Sequence, residues 1–441
     1  MDSALATLEG EVRSKLVFVP LVVGEGMDGK SLQRCTPFEQ VTLSLAEREA
    51  LCEALSSDTD FDRGMGSVVG MAVGDAVGAP LEFIDATDPG HAESSYSRET
   101  DAYQRPFNKF RLRPGQWTDD ASMGLCLADS LLSMGRFDGS DVRVRFWSWW
   151  FRGSNNAFRK DLDRHGSVGL GGNISRSLYS MQPGKPVCKI FPSQGADAGN
   201  GSLMRLAPVP LAHRTSAAAA ARAAFASSLT THPGPIAAEA CAFLATLLVR
   251  AMAEFRTTDV AEGARAFLER VADEYVTTEL CGGREVGGRP GTVELARMLR
   301  SSEADGGFER CWNWRAASLE VRATLAARGS TYNGYPNARG YFGSFCLDGL
   351  AIALHSIAAT DSFGGAIERC VNHLGDADST AAICGQIAGA LYGWRAIDAR
   401  WKSQLHRWDD AEIALRAALL TAKPVVTASD AGSAVAAPPS A

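Results

Sequence analysis

Apolar residues recur at helical spacing along most of this chain, and runs that alternate apolar with polar are few. Segments 66–77, 122–134, 140–151, 216–228, 235–255, 259–275, 292–300, 345–359, 363–372 and 380–393 each predict a helix. Together they make an all-α, compact multi-helix domain expected to span 62–401. Residues 1–61 read as an N-terminal extension: a strand at 16–23, a glycine-rich turn, and a helix at 44–55 that Ser44 caps with Glu47 three residues on. The stretch 281–337 carries Gly282-Gly283, Gly287-Gly288, Pro290 and Gly306-Gly307 and reads as an irregular insertion around one or two helices. Residues 423–441, rich in Ala, Ser and Pro without apolar periodicity, are expected to form a disordered tail.

Glycine refines this picture. Gly66, Gly70, Gly74 and Gly78 recur every four residues, as do Gly385, Gly389 and Gly393. On a helix each forms a stripe without side chains, at about 1 kcal/mol per glycine relative to alanine. Close approach of two helix backbones offsets that cost. Packing the stripes deep in one core would bring the 75–82 segment near residue 376.

Two acidic clusters carry the candidate chemistry. Thr118-Asp119-Asp120 and Asp376-Ala377-Asp378-Ser379 lie roughly 250 residues apart, and each precedes an apolar run where a helix begins. Capping is one reading, because Asp, Ser and Thr satisfy N-terminal backbone N–H groups and a carboxylate gains from the helix dipole. One cap needs one side chain, however, and each cluster offers two carboxylates and a hydroxyl. Hard divalent cations prefer such oxygen ligands, and neither cluster contains the histidine or cysteine that zinc or copper favours. Four carboxylates and two hydroxyls can hold two magnesium ions with a shared carboxylate, the equipment of a dinuclear hydrolase.

Composition narrows the alternatives. The net charge of −7 leaves no excess of Lys and Arg to neutralise phosphates, so nucleic acid is not an expected partner. The ten cysteines are scattered singly with no C-x-x-C pair, as in a reduced intracellular protein. Asp2, Glu9 and Glu11 precede the first apolar stretch, where a signal peptide would carry basic residues, so a cytoplasmic location is expected, with the nucleus left open. No uncharged run reaches membrane-spanning length, and the longest glycine-rich apolar segment is interrupted by Asp75. No membrane partner is expected, and without a coiled-coil repeat the expected state is a monomer.

Five segments in order resemble the successive motifs of the ADP-ribosylglycohydrolase family: Gly70 through Asp75 to Glu82, Gly115 to Asp120, Gly199 to Pro208, Thr231-His232-Pro233, and Leu374 through Asp376 and Asp378 to Gly389. The resemblance covers roughly residues 62–395. It implies an orthogonally packed helical fold with two magnesium ions. It also implies hydrolysis of the N- or O-glycosidic bond between the distal ribose of ADP-ribose and an acceptor, either a protein side chain or a small molecule. Matched to the family's motifs, the metal ligands are Thr118, Asp119, Asp120, Asp376, Asp378 and Ser379. Asp119, Asp378 and Glu82 are the candidates for moving the proton.

The same resemblance sets the diphosphate on backbone N–H groups of glycine-rich turns. Gly169, Gly171, Gly172 and Asn173 suit this in one turn, and Gly199, Asn200, Gly201 and Ser202 in the other. His232 matches a position the family uses near adenosine, with a structural histidine as the alternative. Tyr341 and Phe342 are read either as stacking partners for the ligand or as core aromatics. Two rival functions share these residues: a non-catalytic ADP-ribose-binding protein on the same fold, and a magnesium-dependent nucleotide phosphohydrolase that attacks phosphorus. The acceptor stays open among arginine, serine, O-acetyl-ADP-ribose and polymer linkages.

Overall fold

Helices form where the apolar spacing is regular, and glycine ends those that close at Met134, Arg152 and Tyr392. The structure is a computed structural model that describes residues 1–24, 36–85, 90, 93–164, 166–193, 195, 197–255, 263–281, 289–305, 307–328, 331–332, 335–336 and 342–425. The α-helices among them are α1 (Asp2–Thr7), α2 (Leu45–Leu55), α3 (Thr59–Gly78), α4 (Asp119–Met134), α5 (Gly139–Arg152), α6 (Gly172–Tyr179), α7 (Pro208–Ala212), α8 (Ala217–Ser228) and α9 (Pro235–Glu254). They continue with α10 (Ala264–Tyr275), α11 (Thr292–Arg300), α12 (Val321–Ala326), α13 (Cys346–Ala358), α14 (Phe363–Val371), α15 (Ala377–Tyr392), α16 (Ala399–Asp409) and α17 (Glu412–Ala422). The only strands among the described residues pair as two short antiparallel hairpins, Ser95–Ser97 with Ala102–Gln104 and Thr331–Tyr332 with Tyr335–Pro336. The fold is all-α.

Local chemistry explains several boundaries. Ser44 and Glu47 form the expected reciprocal capping box at α2. Pro235 opens α9 in the first turn, where its missing N–H has no intrahelical partner to lose. Gly135 and Gly153 end α4 and α5 in the left-handed conformation. The segment 16–23 is not a strand. It is irregular: Leu16 N–H donates to the nearby Arg13 carbonyl at 3.2 Å and Val17 N–H to the Pro37 carbonyl at 3.0 Å, and these two bonds do not make a ladder. The helix expected from 259 starts at Ala264, with 256–262 outside the described residues. So do residues 426–441, most of the expected tail.

The glycine stripes do the packing that their spacing predicts. α3 and α15 run antiparallel with backbones in direct contact. A Cβ on Gly66, Gly70 or Gly74 would collide with the carbonyl of Gly389, Gly385 or Ala381, and a Cβ on Gly385 or Gly389 with that of Gly70 or Gly66. Substitution is therefore closed from both sides. Thr59–Leu81 and Pro235–Glu254 are apolar and long enough to cross a membrane, yet 100% and 78% of their apolar windows are buried inside the molecule. They are core helices of one continuous apolar cluster, which also takes in Leu8 and Val12 at the N-terminus and Leu419 in α17.

Candidate active site

The contact between α3 and α15 decides where the acidic residues meet. Asp75 lies near the C-terminal end of α3, and Asp376 and Asp378 lie at the N-terminal end of α15. The antiparallel crossing sets them side by side, and α4 arrives with Asp119 and Asp120 in its first turn. Two helix N-termini thus face one buried carboxylate cluster, the polarity that favours negative charge.

Neither Thr118 nor Asp376 makes a side-chain cap bond to its own helix. α4 is capped instead from another helix. The Asp75 carboxylate accepts from Thr118 N–H at 2.9 and 3.1 Å and from Ala121 N–H at 2.9 Å. The Thr118 hydroxyl lies 3.0 Å from Asp75, 3.0 Å from Asp120 and 3.4 Å from Asp378. It carries a single hydrogen to share among three carboxylates.

Two sets of carboxylate oxygens lie within 4.8 Å of one another: Asp75, Asp120 and Asp378, and Glu82, Asp376 and Asp378. Asp378 belongs to both. Its Oδ1 accepts from Ser379 N–H at 2.8 Å, and the Asn200 amide donates to Asp376 Oδ2 at 2.8 Å and to the Gly343 carbonyl at 3.0 Å. Asp376 N–H donates to the Phe342 carbonyl at 2.7 Å, so Phe342 supports the cluster through its backbone while its ring is buried.

Burial and the neighbouring carboxylates hold Asp119, Asp120 and Asp378 well above the usual carboxylate range. Burial also lifts Asp75 to about 6, against the pull of its hydrogen bonds from Ala121 and Thr118. Asp120 Oδ1 is buried with no hydrogen-bond partner. Crowded, dry oxygens with an unsatisfied acceptor fit a divalent cation, whose charge removes the repulsion that raises their proton affinity.

Above the cluster opens a cleft of about 320 Å³, within the size range of small-molecule sites. Glu82, Asp119, Asp376, Asp378 and Ser379 lie on its floor side, while Thr118, Asp120 and Asp75 are buried beneath. Gly169, Gly171, Gly172, Asn173, Gly199, Asn200, Gly201 and His232 line the rest, with Met204, Ser344 and Phe345. Gly169 has φ +90°, and a side chain there would strike the Asp119 carboxylate. Ser202 is not a lining residue; it is fully buried, and its hydroxyl accepts from Ser228 at 2.9 Å. Tyr341 lies outside the described residues.

Asp75 is a member of the cluster although it belongs to neither acidic run of the sequence. The signal was available: a single carboxylate immediately after Gly74, in a stripe that must face another helix. Asn200, expected only as a ligand-binding residue, also holds Asp376 in place.

The ADP-ribosylglycohydrolase family model matches residues 56–427. ADP-ribosylarginine hydrolase Tri1 of Serratia proteamaculans is 28% identical over 78% of this chain and 75% of its own length. The ADP-ribosyl-(dinitrogen reductase) glycohydrolase of Rhodospirillum rubrum is 27% identical over 80% of this chain and 93% of its own. Among solved structures, an ADP-ribosylglycohydrolase-related protein complex superposes with a TM-score of 0.54 at 29% identity, over 83% of this chain and 99% of that one. With a match across most of its length, and that family's motifs gathered around one acidic cleft, this chain belongs to the ADP-ribosylglycohydrolase family.

Proposed function

We propose that this chain is a magnesium-dependent ADP-ribosyl glycohydrolase, cleaving the N- or O-glycosidic bond between the distal ribose of ADP-ribose and an acceptor and so reversing ADP-ribosylation. The observation that carries the reading is the pair of three-carboxylate sets sharing Asp378 at the base of a glycine-walled cleft. Thr118, Asp120, Asp376, Asp378 and Ser379, joined by Asp75, are the residues to hold two cations. When bound, two Mg²⁺ ions supply Lewis-acid polarisation of sugar hydroxyls and of water.

In the reaction the water oxygen bonds to C1″, the bond from C1″ to the acceptor breaks, and the acceptor leaves with a proton. A carboxylate on the cleft wall must take the proton that water loses. Asp119 lies in the cleft yet outside both three-carboxylate sets, which favours it for proton transfer over ligation. Glu82 is the second candidate. Asp378 belongs to both sets, which favours it as a residue that would hold a cation over the basic role. The turns at 169–173 and 199–201 bring side-chain-free backbone to the diphosphate.

Two relatives are named for ADP-ribosylarginine, so an ADP-ribosyl-arginine peptide is the first substrate to try, beside an ADP-ribosyl-serine peptide. Mass spectrometry should find intact ADP-ribose released in Mg²⁺, with at least a roughly hundredfold loss in Asp378→Asn and none released in excess EDTA. Full turnover in EDTA would overturn the metal reading. AMP with ribose phosphate among the products would mean attack at phosphorus instead.

A further inference from the structure

His232 follows the turn after α8 and is 3% exposed, with its ring laid against the 199–201 turn. A Cβ on Gly201 would come within 2.7 Å of its Cε1, and one on Gly199 within 3.2 Å of its Nε2. The ring lines the cleft. Its Nδ1 lies 2.8 Å from Thr231 Oγ1, and that same oxygen lies 2.7 Å from Arg205 Nη2. Arg205 is fully buried, and its described partners are the Thr230 and Thr231 hydroxyls, the Met123 sulfur and the Phe146 ring, none of them a carboxylate.

Which ring nitrogen carries the proton follows from counting donors. A guanidinium only donates, so the Thr231 oxygen accepts from Arg205. The hydroxyl keeps one hydrogen of its own, and His232 Nδ1 is the one acceptor the described contacts give it. Were Nδ1 protonated, two N–H donors would converge on the Thr231 oxygen and the hydroxyl hydrogen would be stranded in a buried site. The neighbouring Thr230 hydroxyl escapes that problem by donating to the Ser227 carbonyl at 2.7 Å. Hence Nδ1 accepts and the hydrogen sits on Nε2, for which no described hydrogen bond exists.

We infer that Arg205 and Thr231 form a relay that fixes His232 as the Nε2–H tautomer, so that the cleft offers a hydrogen-bond donor there to an acceptor oxygen of the ligand, of the phosphate or ribose kind. Burial, with Arg205 and Arg176 nearby, pushes His232 down to about 3, so the ring stays neutral and the relay works the same way across the physiological range. Arg205 and Thr231 are positioning residues, because they reach the ligand only through His232. The identity of the ligand as ADP-ribose rests on the function proposed above; the tautomer does not.

Nitrogen-15 NMR of the ligand-free full chain, labelled at histidine, reads the tautomer directly, with His232→Asn used to assign the signal. The expected spectrum has an unprotonated Nδ1 and a protonated Nε2 at His232; a protonated Nδ1 overturns the relay, whatever any variant does. Thr231→Val should mix the tautomers and weaken ADP-ribose binding in calorimetry roughly tenfold, raising KM more than it lowers kcat. Thr231→Ser should restore both the spectrum and the affinity. An unchanged tautomer and affinity in Thr231→Val would overturn the relay as well. If the wild-type chain has the expected tautomer but neither binds nor releases ADP-ribose, the relay stands and the substrate assignment fails.

Discussion

Asp75 does two jobs with one carboxylate: it caps α4 from a neighbouring helix and contributes an oxygen to the acidic cluster. Asp75→Asn keeps the shape and one acceptor oxygen but removes a charge and replaces the second acceptor with a donor. It should weaken Mg²⁺ binding roughly tenfold or more, the usual scale for groups that orient metal ligands. Titrating turnover with Mg²⁺ checks this, and an unchanged titration would mean that Asp75 acts only as a cap. Most of the cluster was legible in the sequence, because two short runs each offered more carboxylates than a cap can use. Asp75 was harder to read, since its partners come from a different helix. Ser202 looked like its glycine-rich neighbours in sequence, but residue type does not say which side of a turn a hydroxyl takes, and this one turns toward Ser228.

The acidic cluster depends on two helices that touch backbone to backbone. A methyl group on Gly385 would run into the Gly70 carbonyl, and backbone cannot give way as a flexible side chain can. Gly385→Ala should therefore cost about 1–3 kcal/mol or more and lower the melting temperature along with Mg²⁺-dependent turnover. Gly10→Ala is the control: nothing lies within 4 Å of its added carbon, so its melting temperature should hold. Equal melting temperatures for wild type and Gly385→Ala would show that the helices can part freely. The long helices were legible because their apolar spacing repeats over several turns. Their starts were not: α4 begins at Asp119 and α15 at Ala377, each three residues ahead of the apolar run. The carboxylates themselves form the first turns, with the cap of α4 supplied by Asp75. The 16–23 segment has the composition of a strand, but no ladder partner for it lies among the described residues.

Across the whole molecule, buried and half-buried arginines tie segments far apart in sequence. Arg416 in α17 donates to Asp129 in α4 at 2.8 Å, Arg159 reaches Glu412 at 2.9 Å, and Arg13 donates to the Leu419 carbonyl at 2.7 Å. No local pattern announces such pairings, which is why the packing of the first and last helices escaped the sequence. The buried histidines set a different global property. His355 is fully buried, with Nδ1 3.0 Å from the Trp314 carbonyl and Nε2 3.2 Å from Arg369 Nη2. It must donate through Nδ1 and accept through Nε2, so a second proton would face the guanidinium. Burial, with Arg369 and Arg265 adding to it, holds its pKa below the ordinary 6.5. The unfolded chain then takes up a proton that the fold refuses, and stability falls as pH drops through 6.5 toward the folded value. Gln can make the same donor and acceptor contacts without titrating. Between about pH 7.5 and about pH 5.5, urea unfolding of His355→Gln should lose less stability than wild type, by up to about 1.4 kcal/mol. Carboxylates that burial raises, such as Asp62 and Asp409, gain stability on the same descent, but they are common to both proteins and cancel in the difference. Equal losses in the two proteins would mean that the interior accommodates a protonated His355, and that Arg369 moves away from it.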